Sequence, residues 1–289
     1  MMAHLPGEDA GRGSGVGVAT ERVPGEVELH LEREGETGPV VCLLHGFGGS
    51  ARNWRPQLRA LRERARPAAF DLRGHARSAA PPDAAAYAPE CFVADVARVL
   101  DVLGAPRAVV GGLSLGAGIA ARFAAAHPER VRGLVLMALP PGAAEGTRQR
   151  GWALAFADAI EREGLEAAGA RYAWGPDSGL DPAAAKLVRM GFLEHAPHAI
   201  AHTLRGLLAV QPGWRELAER LAPLALPTLI VVGERDSVSR KPCEGLAGAL
   251  PGARLVVVPE AGHVVNLEAR DAVNEALLSF LAELPEEPA

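Results

Sequence analysis

Short apolar runs and longer amphipathic stretches alternate along this chain, and their spacing predicts a succession of strands and helices. Val27, Leu29 and Leu31 alternate with Glu28, His30 and Glu32, the period of a half-exposed strand. Val40-Val41-Cys42-Leu43-Leu44 is continuously apolar, which suits an inner parallel strand covered on both faces. It opens into the glycine-rich His45-Gly46-Phe47-Gly48-Gly49-Ser50, after which Trp54, Leu58 and Leu61 fall on one side of a short helix. Ala68-Ala69-Phe70 predicts a strand that runs into a polar loop from Asp71 to Ser78, and Pro81-Pro82 prolongs the loop. Phe92, Val96, Val99 and Leu100 then carry helical spacing over about 89–103. Val109-Val110 leads through Gly111-Gly112-Leu113-Ser114-Leu115-Gly116-Ala117-Gly118 into an alanine-rich helix, and Val131 to Ala138 is a further strand stopped by Pro140-Pro141-Gly142.

From about residue 141 to 215 the strand pattern disappears. Helical segments carry Trp152, Phe156 and Ile160, then Leu187, Met190, Phe192 and Leu193, then Ile200, Leu204 and Leu207, divided at Gly175-Pro176-Asp177 and Asp181-Pro182. Strand character returns at Thr228 to Val232 and at Leu255 to Val258, and a last helix over about 268–283 presents Val273, Leu277, Phe280 and Leu281. Repeated strand–loop–helix units imply an α/β fold, a mostly parallel central sheet with helices on both faces. In such a sheet ligands sit beyond the carboxyl ends of the strands, where every polar motif above falls. The expected organisation is a loose leader over 1–20, a core over 21–140 and 216–289, a helical insertion over 141–215, and a fraying tail from Glu283.

Composition narrows the class of function. The chain has 289 residues and a formal net charge of -5, and no run of basic residues forms a nucleic-acid surface. No segment is long and apolar enough to span a bilayer, and the N-terminus lacks the basic and apolar regions of a signal peptide. The three cysteines, Cys42, Cys91 and Cys243, are few and far apart, which fits buried thiols in a reducing, cytoplasmic setting better than a disulfide scaffold.

The segment around Ser114 changes the picture most. Glycines two residues either side of it let strand and helix approach closely and leave the serine at the tip of a strained turn. Its Oγ would point into a cleft, with the following helix N-terminus directed at developing negative charge. Taken alone, a GxSxG segment in a glycine-rich chain also suits a plain packing turn.

Four further motifs stand in a telling order, and with them the sequence resembles the α/β-hydrolase superfamily, specifically small, capped bacterial serine hydrolases. Gly112-Leu113-Ser114-Leu115-Gly116 resembles the nucleophile elbow, and His45-Gly46-Phe47-Gly48 the oxyanion loop. Asp71-Leu72-Arg73-Gly74-His75-Ala76-Arg77-Ser78 is similar to a DxRGHGxS segment, with Ala76 in place of the usual second glycine. Gly233-Glu234-Arg235-Asp236 resembles the acid loop and Gly262-His263 the terminal histidine. The resemblance implies an α/β-hydrolase fold with a helical cap inserted after the sixth strand.

It also implies roles. Ser114 is the expected nucleophile, since a serine alcohol requires a base that takes its proton as it attacks a carbonyl. His263 is the expected base and later acid, because imidazole titrates near working pH. Asp236 is expected to orient His263, with Glu234 as its neighbour and competitor on the same loop. The backbone N–H groups of Phe47 and Leu115 are the expected oxyanion donors. Trp152, Phe156, Trp174, Met190 and Phe192 are candidates for an apolar substrate wall, or for the packed interior of the cap. Arg73 reads as a loop tie, with binding of a substrate carboxylate as the alternative. Asp95 sits on a helix, where it caps or pairs. The spacing of His195, His198 and His202 admits a metal site, but suitably placed Cys or carboxylate partners are missing.

The implied activity is cleavage of a small, largely apolar carboxylic ester or lactone through an acyl-serine, with neither metal nor organic cofactor. C–C bond hydrolysis or perhydrolysis would use the same triad; C–C hydrolases of this kind often place Trp after the histidine, where this chain has Val264. Amide hydrolysis is not separated from these by the motifs, and a non-catalytic small-molecule receptor on the same fold is the reading from another class. Oligomeric state is left open.

Overall fold

A computed structural model describes residues 17–143, 147–176, 180 and 182–285. The leader up to Val16, Asp177 and Asp181 of the two dividing segments, and the tail from Glu286 lie outside the described residues.

Among the described residues one sheet has eight strands in the order β1-β2-β4-β3-β5-β6-β7-β8. They are β1 (Ala19–Val23), β2 (Leu29–Arg33), β3 (Val40–Leu44), β4 (Arg66–Phe70), β5 (Ala108–Leu113), β6 (Val131–Met137), β7 (Thr228–Gly233) and β8 (Arg254–Val258). β1 pairs antiparallel with β2 and β2 with β4; every other pairing is parallel. The register sets Leu44 opposite both Phe70 and Gly112, and Leu113 opposite Met137. The loops that begin at His45, Asp71, Ser114 and Glu234 therefore leave one edge of the sheet together.

The helices cover both faces. They are α1 (Arg55–Leu61), α2 (Pro89–Val102), α3 (Leu115–Ala126), α7 (Trp214–Leu221), α8 (Arg240–Ala249), α9 (Val265–Glu268) and α10 (Arg270–Glu283), with α4 (Thr147–Tyr172), α5 (Pro182–Phe192) and α6 (Pro197–Gly206) standing between β6 and β7. The period of two along each inner strand sorts its side chains between two cores. Cys42, Leu44 and Val110 join Phe92, Val96 and Phe123 on one face, whereas Val41, Leu43 and Val109 join Trp54, Leu58 and Phe280 on the other. The helical cap follows β6; α4 turns at Gly164, whose φ is 82°, and α6 packs along it.

Two features depart from the hydropathy pattern. The chain pairs as β1 from Ala19, a strand with no apolar alternation, because pairing with β2 satisfies its backbone. The strand around Leu29–Leu31 is buried on both faces and not half-exposed. Glu32 is fully buried because Arg55 donates to both its oxygens, at 2.8 and 2.9 Å, and Arg77 donates to Oε1 at 2.6 Å.

Candidate active site

The turn at Ser114 is built from close backbone approach. A β-carbon on Gly112 would lie 2.4 Å from the carbonyl carbon of Gly116, and one on Gly116 would lie 2.3 Å from the Leu44 oxygen. Glycine at both positions lets α3 start directly above β5 and β3. Ser114 itself takes φ 52° and ψ -113°, a conformation that side chains rarely adopt, held by bonds from its N–H to Met137 O (2.8 Å) and from Gly118 N–H to its own carbonyl (3.1 Å). As the N-cap of α3 it stands where the helix dipole favours negative charge.

The glycine-rich loop after β3 runs beside this turn; a β-carbon on Gly46 would lie 3.6 Å from Ser114 Cβ. His45 shapes the loop. Its Nε2 accepts the Leu72 N–H at 3.0 Å, so its proton sits on Nδ1, which donates to Gly46 O at 2.8 Å. Burial pushes this imidazole down to about 4, so the ring is neutral and its tautomer is set. Gly49 N–H also donates to Gly46 O, at 3.0 Å, closing a tight turn around Phe47. Among the described residues the amides of Phe47 and Leu115 have no protein acceptor, as donors to an external oxygen require.

On the far side, Asp236 and His263 meet. His263 Nδ1 donates to Asp236 Oδ2 at 2.8 Å, while Oδ1 accepts the N–H groups of Val238 (3.1 Å) and Ser239 (3.0 Å). Burial would raise the Asp236 carboxyl, but the hydrogen bond and charge of His263, with Ser239, hold it below the usual carboxylate range. For His263 burial likewise pulls down, and Asp236, with a smaller effect from Glu268, outweighs it and raises the imidazole above 6.5. Glu234, the competing acid, instead accepts the Glu260 N–H at 3.1 Å and ties the acid loop to the histidine loop.

Two neighbours of the pair escaped the sequence reading. Ser239 is fully buried with Oγ 3.3 Å from His263 Nδ1. It shares that ring edge with Asp236, so it supports the pair and cannot take the nucleophile's place, which faces Nε2. Asp236 followed three residues later by a serine at a helix start is an Asx-type signal that could have found it. Glu268 accepts from Gly262 N–H at 2.6 Å and Val264 N–H at 2.9 Å, a clip around the backbone of His263.

The segment from Asp71 is structural. Arg73 gives two bonds to Asp95, at 2.7 and 2.8 Å, and a third to Ala86 O at 2.7 Å, which leaves little of it for a substrate carboxylate. Asp71 accepts the Ala51 N–H at 2.7 Å and three bonds from Arg77, fastening the exit of the glycine-rich loop after β3. Ala76 takes φ 44°, which explains why glycine suits this position in the resembled pattern.

The cap aromatics divide. Phe156 and Phe192 are buried and stack at 5.6 Å, and Phe47 meets both edge-on at 6.0 and 5.5 Å. Trp152 meets Phe156, and Trp174 meets Phe192, each at 5.5 Å. Met190 is 56% exposed on α5, away from this cluster's burial. The ring nitrogens of His195, His198 and His202 face backbone carbonyls, and no group of three or more His, Cys, Asp or Glu among the described residues could hold a metal ion. No helix of the described residues is long and apolar enough to cross a membrane.

Comparison with known proteins agrees with this architecture. The family described as alpha/beta hydrolase fold matches residues 39–269. A Pseudomonas putida protein, the dihydrolipoyllysine-residue acetyltransferase component of an acetoin cleaving system, is 32% identical over 269 residues, covering 90% of this chain and 68% of its own length. The crystal structure of the enol-lactonase from Burkholderia xenovorans LB400 superposes with a TM-score of 0.76 at 26% identity, covering 89% of this chain and 97% of that one. A thermophilic esterase from Thermogutta terrifontis does so with a TM-score of 0.79 at 29% identity, covering 92% and 98%.

Proposed function

The chain belongs to the α/β-hydrolase fold family, and from that premise we propose that it is a serine hydrolase of small, largely apolar carboxylic esters or lactones, with Ser114 as nucleophile. The observation that carries this reading is the strained Ser114 turn, at the same sheet edge as an Asp236–His263 pair whose Nδ1 is already engaged. Nε2 is thereby the nitrogen that takes a proton.

Ser114 Oγ attacks the acyl carbon as His263 Nε2 removes its proton. The amides of Phe47 and Leu115 receive the oxyanion, and each such donor contributes about 3 kcal/mol to transition-state stabilisation. The imidazolium, balanced by Asp236, then gives its proton to the leaving alkoxide or enolate, and an acyl-serine remains. Water attacks this ester with His263 again as base, releasing the acid and restoring the serine. Half-buried Phe47 packs on the buried rings of Phe156 and Phe192 and leaves an uncharged ring where the cap meets the loop, which suits an apolar acyl or alcohol group. The likeness to an enol-lactonase and an esterase supports the ester or lactone class. Three free thiols, two of them buried, suit a cytoplasmic setting.

Initial rates on p-nitrophenyl esters of increasing acyl length, with Ser114→Ala beside the parent, test the reading. Serine-dependent turnover is expected. Full activity in Ser114→Ala would remove the assignment, and a folded parent that labels at Ser114 with a fluorophosphonate yet cleaves no ester or lactone would move the substrate class.

A further inference from the structure

Resting on the serine-hydrolase reading above, we propose that His195 is a positioning residue for the oxyanion hole, a cap side chain that holds the Phe47 amide in place through the carbonyl of Gly49. His195 is almost fully buried, with Nε2 3.1 Å from Gly49 O and Nδ1 3.1 Å from Phe192 O. A neutral imidazole has one N–H and can donate to only one of them. Phe192 O already accepts the His195 backbone N–H, at 3.4 Å, whereas Gly49 O has no other donor among the described residues. Gly49 O is half-buried and would be left without a protein donor, which is costlier than leaving Phe192 O with the one donor it already has, so the proton belongs on Nε2, facing the loop. Burial keeps this ring neutral.

The bond reaches the oxyanion donor through a short path. Gly49 N–H donates to Gly46 O, the carbonyl of the same peptide that carries the Phe47 N–H, so a Gly49 anchored at its own carbonyl keeps that bond, and with it the Phe47 amide, in place. The same cap segment also presses on the turn from above, with the Phe192 ring seated against Gly48. Behind the turn, the His75 ring stands 5.0 Å from His195 and 5.1 Å from His45, a column of three buried imidazoles along the loop. The cap residues 192–195 thus back the turn that carries Phe47, and lifting them would loosen the oxyanion hole.

His195→Ala and His195→Gln, whose amide can restore a donor near the Nε2 position, are compared with the parent on its best p-nitrophenyl ester. His202→Ala serves as control, since His202 Nε2 faces Pro82 O at 3.3 Å on a loop without an oxyanion donor. For His195→Ala, kcat falls about tenfold with KM within about twofold, and affinity for a trifluoromethyl ketone falls in parallel while affinity for the product carboxylate holds. His195→Gln recovers most of kcat, and His202→Ala matches the parent. A His195→Ala protein with parental kcat, or a loss that appears in KM alone, overturns the proposal. Should His195→Ala not fold, nitrogen-15 NMR of the parent decides: the Nε2–H tautomer at His195 supports the bond to Gly49, and the Nδ1–H tautomer overturns it. A parent without Ser114-dependent turnover fails the hydrolase reading, whereas an active parent matched by His195→Ala fails only this proposal.

Discussion

The ring of Phe192 occupies the space that a side chain on Gly48 would need: a β-carbon there would stand 2.2 Å from Phe192 Cδ2. Gly48 also takes φ 69°, which favours glycine, so two separate constraints meet at this position. Gly48→Ala must either displace the cap at Phe192 or distort the turn that carries Phe47. The expected result is a loss of about 1–3 kcal/mol in stability and a fall in kcat; urea unfolding and ester kinetics measure both. A variant with parental values for each would show that the cap does not rest on this loop.

Ser114 stores strain that glycine would relieve. Ser114→Gly should remove turnover and stabilise the fold by about 1 kcal/mol, whereas Ser114→Ala removes turnover and keeps the strain. Thermal melts of the two variants side by side distinguish them, and a Gly variant less stable than the Ala variant would contradict the strained turn.

With His263 as the proposed base, turnover requires its neutral form, and Asp236 raises its proton affinity. The acidic limb of kcat/KM is therefore expected above pH 6.5 in the parent. Asp236→Asn should move the limb to lower pH, because the charge that stabilised the imidazolium is gone, and should lower kcat/KM by roughly 10²–10⁴. A limb that stays in place would point to another titrating group.

Arg73 and Asp95 form a buried, bidentate pair, so removing the cation leaves Asp95 with Arg98 alone, at 2.8 Å. Arg73→Met is expected to destabilise the protein by about 3 kcal/mol without changing KM for esters with or without a second carboxylate. A selective rise in KM for the carboxylate-bearing ester would restore Arg73 to substrate binding.

Burial depresses the proton affinity of His45, His75 and His195, that of His45 to about 4. The unfolded chain binds a proton at each near pH 6.5, so between pH 6.5 and about 4 it holds more protons than the folded chain, and stability falls as pH drops through that window. His45 alone accounts for roughly 3 kcal/mol of this loss. Urea midpoints from pH 7 to 4 check the slope, and His75→Asn, which keeps a donor to Arg73 O, should flatten it. A midpoint unchanged between pH 7 and 4.5 would remove the argument.

What the sequence determined by itself was local. Continuous apolar runs specified the buried strands, helical spacing specified α2 and α10, and glycines around Ser114 specified a tight strand-to-helix turn, because each depends on neighbours within a few residues. The order of the motifs pointed to one edge of one sheet. Tertiary structure decided which polar groups meet. Glu32 alternates like an exposed residue and is buried, since Arg55 and Arg77 come from other elements to neutralise it. Asp236 and Glu234 are equivalent in one loop until the His263 ring is in place beside one of them. Met190 and Phe192 share a helical segment, yet only the second turns inward. His195 lies 146 residues from Gly49, and no local pattern can encode that contact. Hydrophobic period acts through the geometry of a single element, whereas hydrogen-bond pairing and charge neutralisation depend on distances that exist only after the elements have packed.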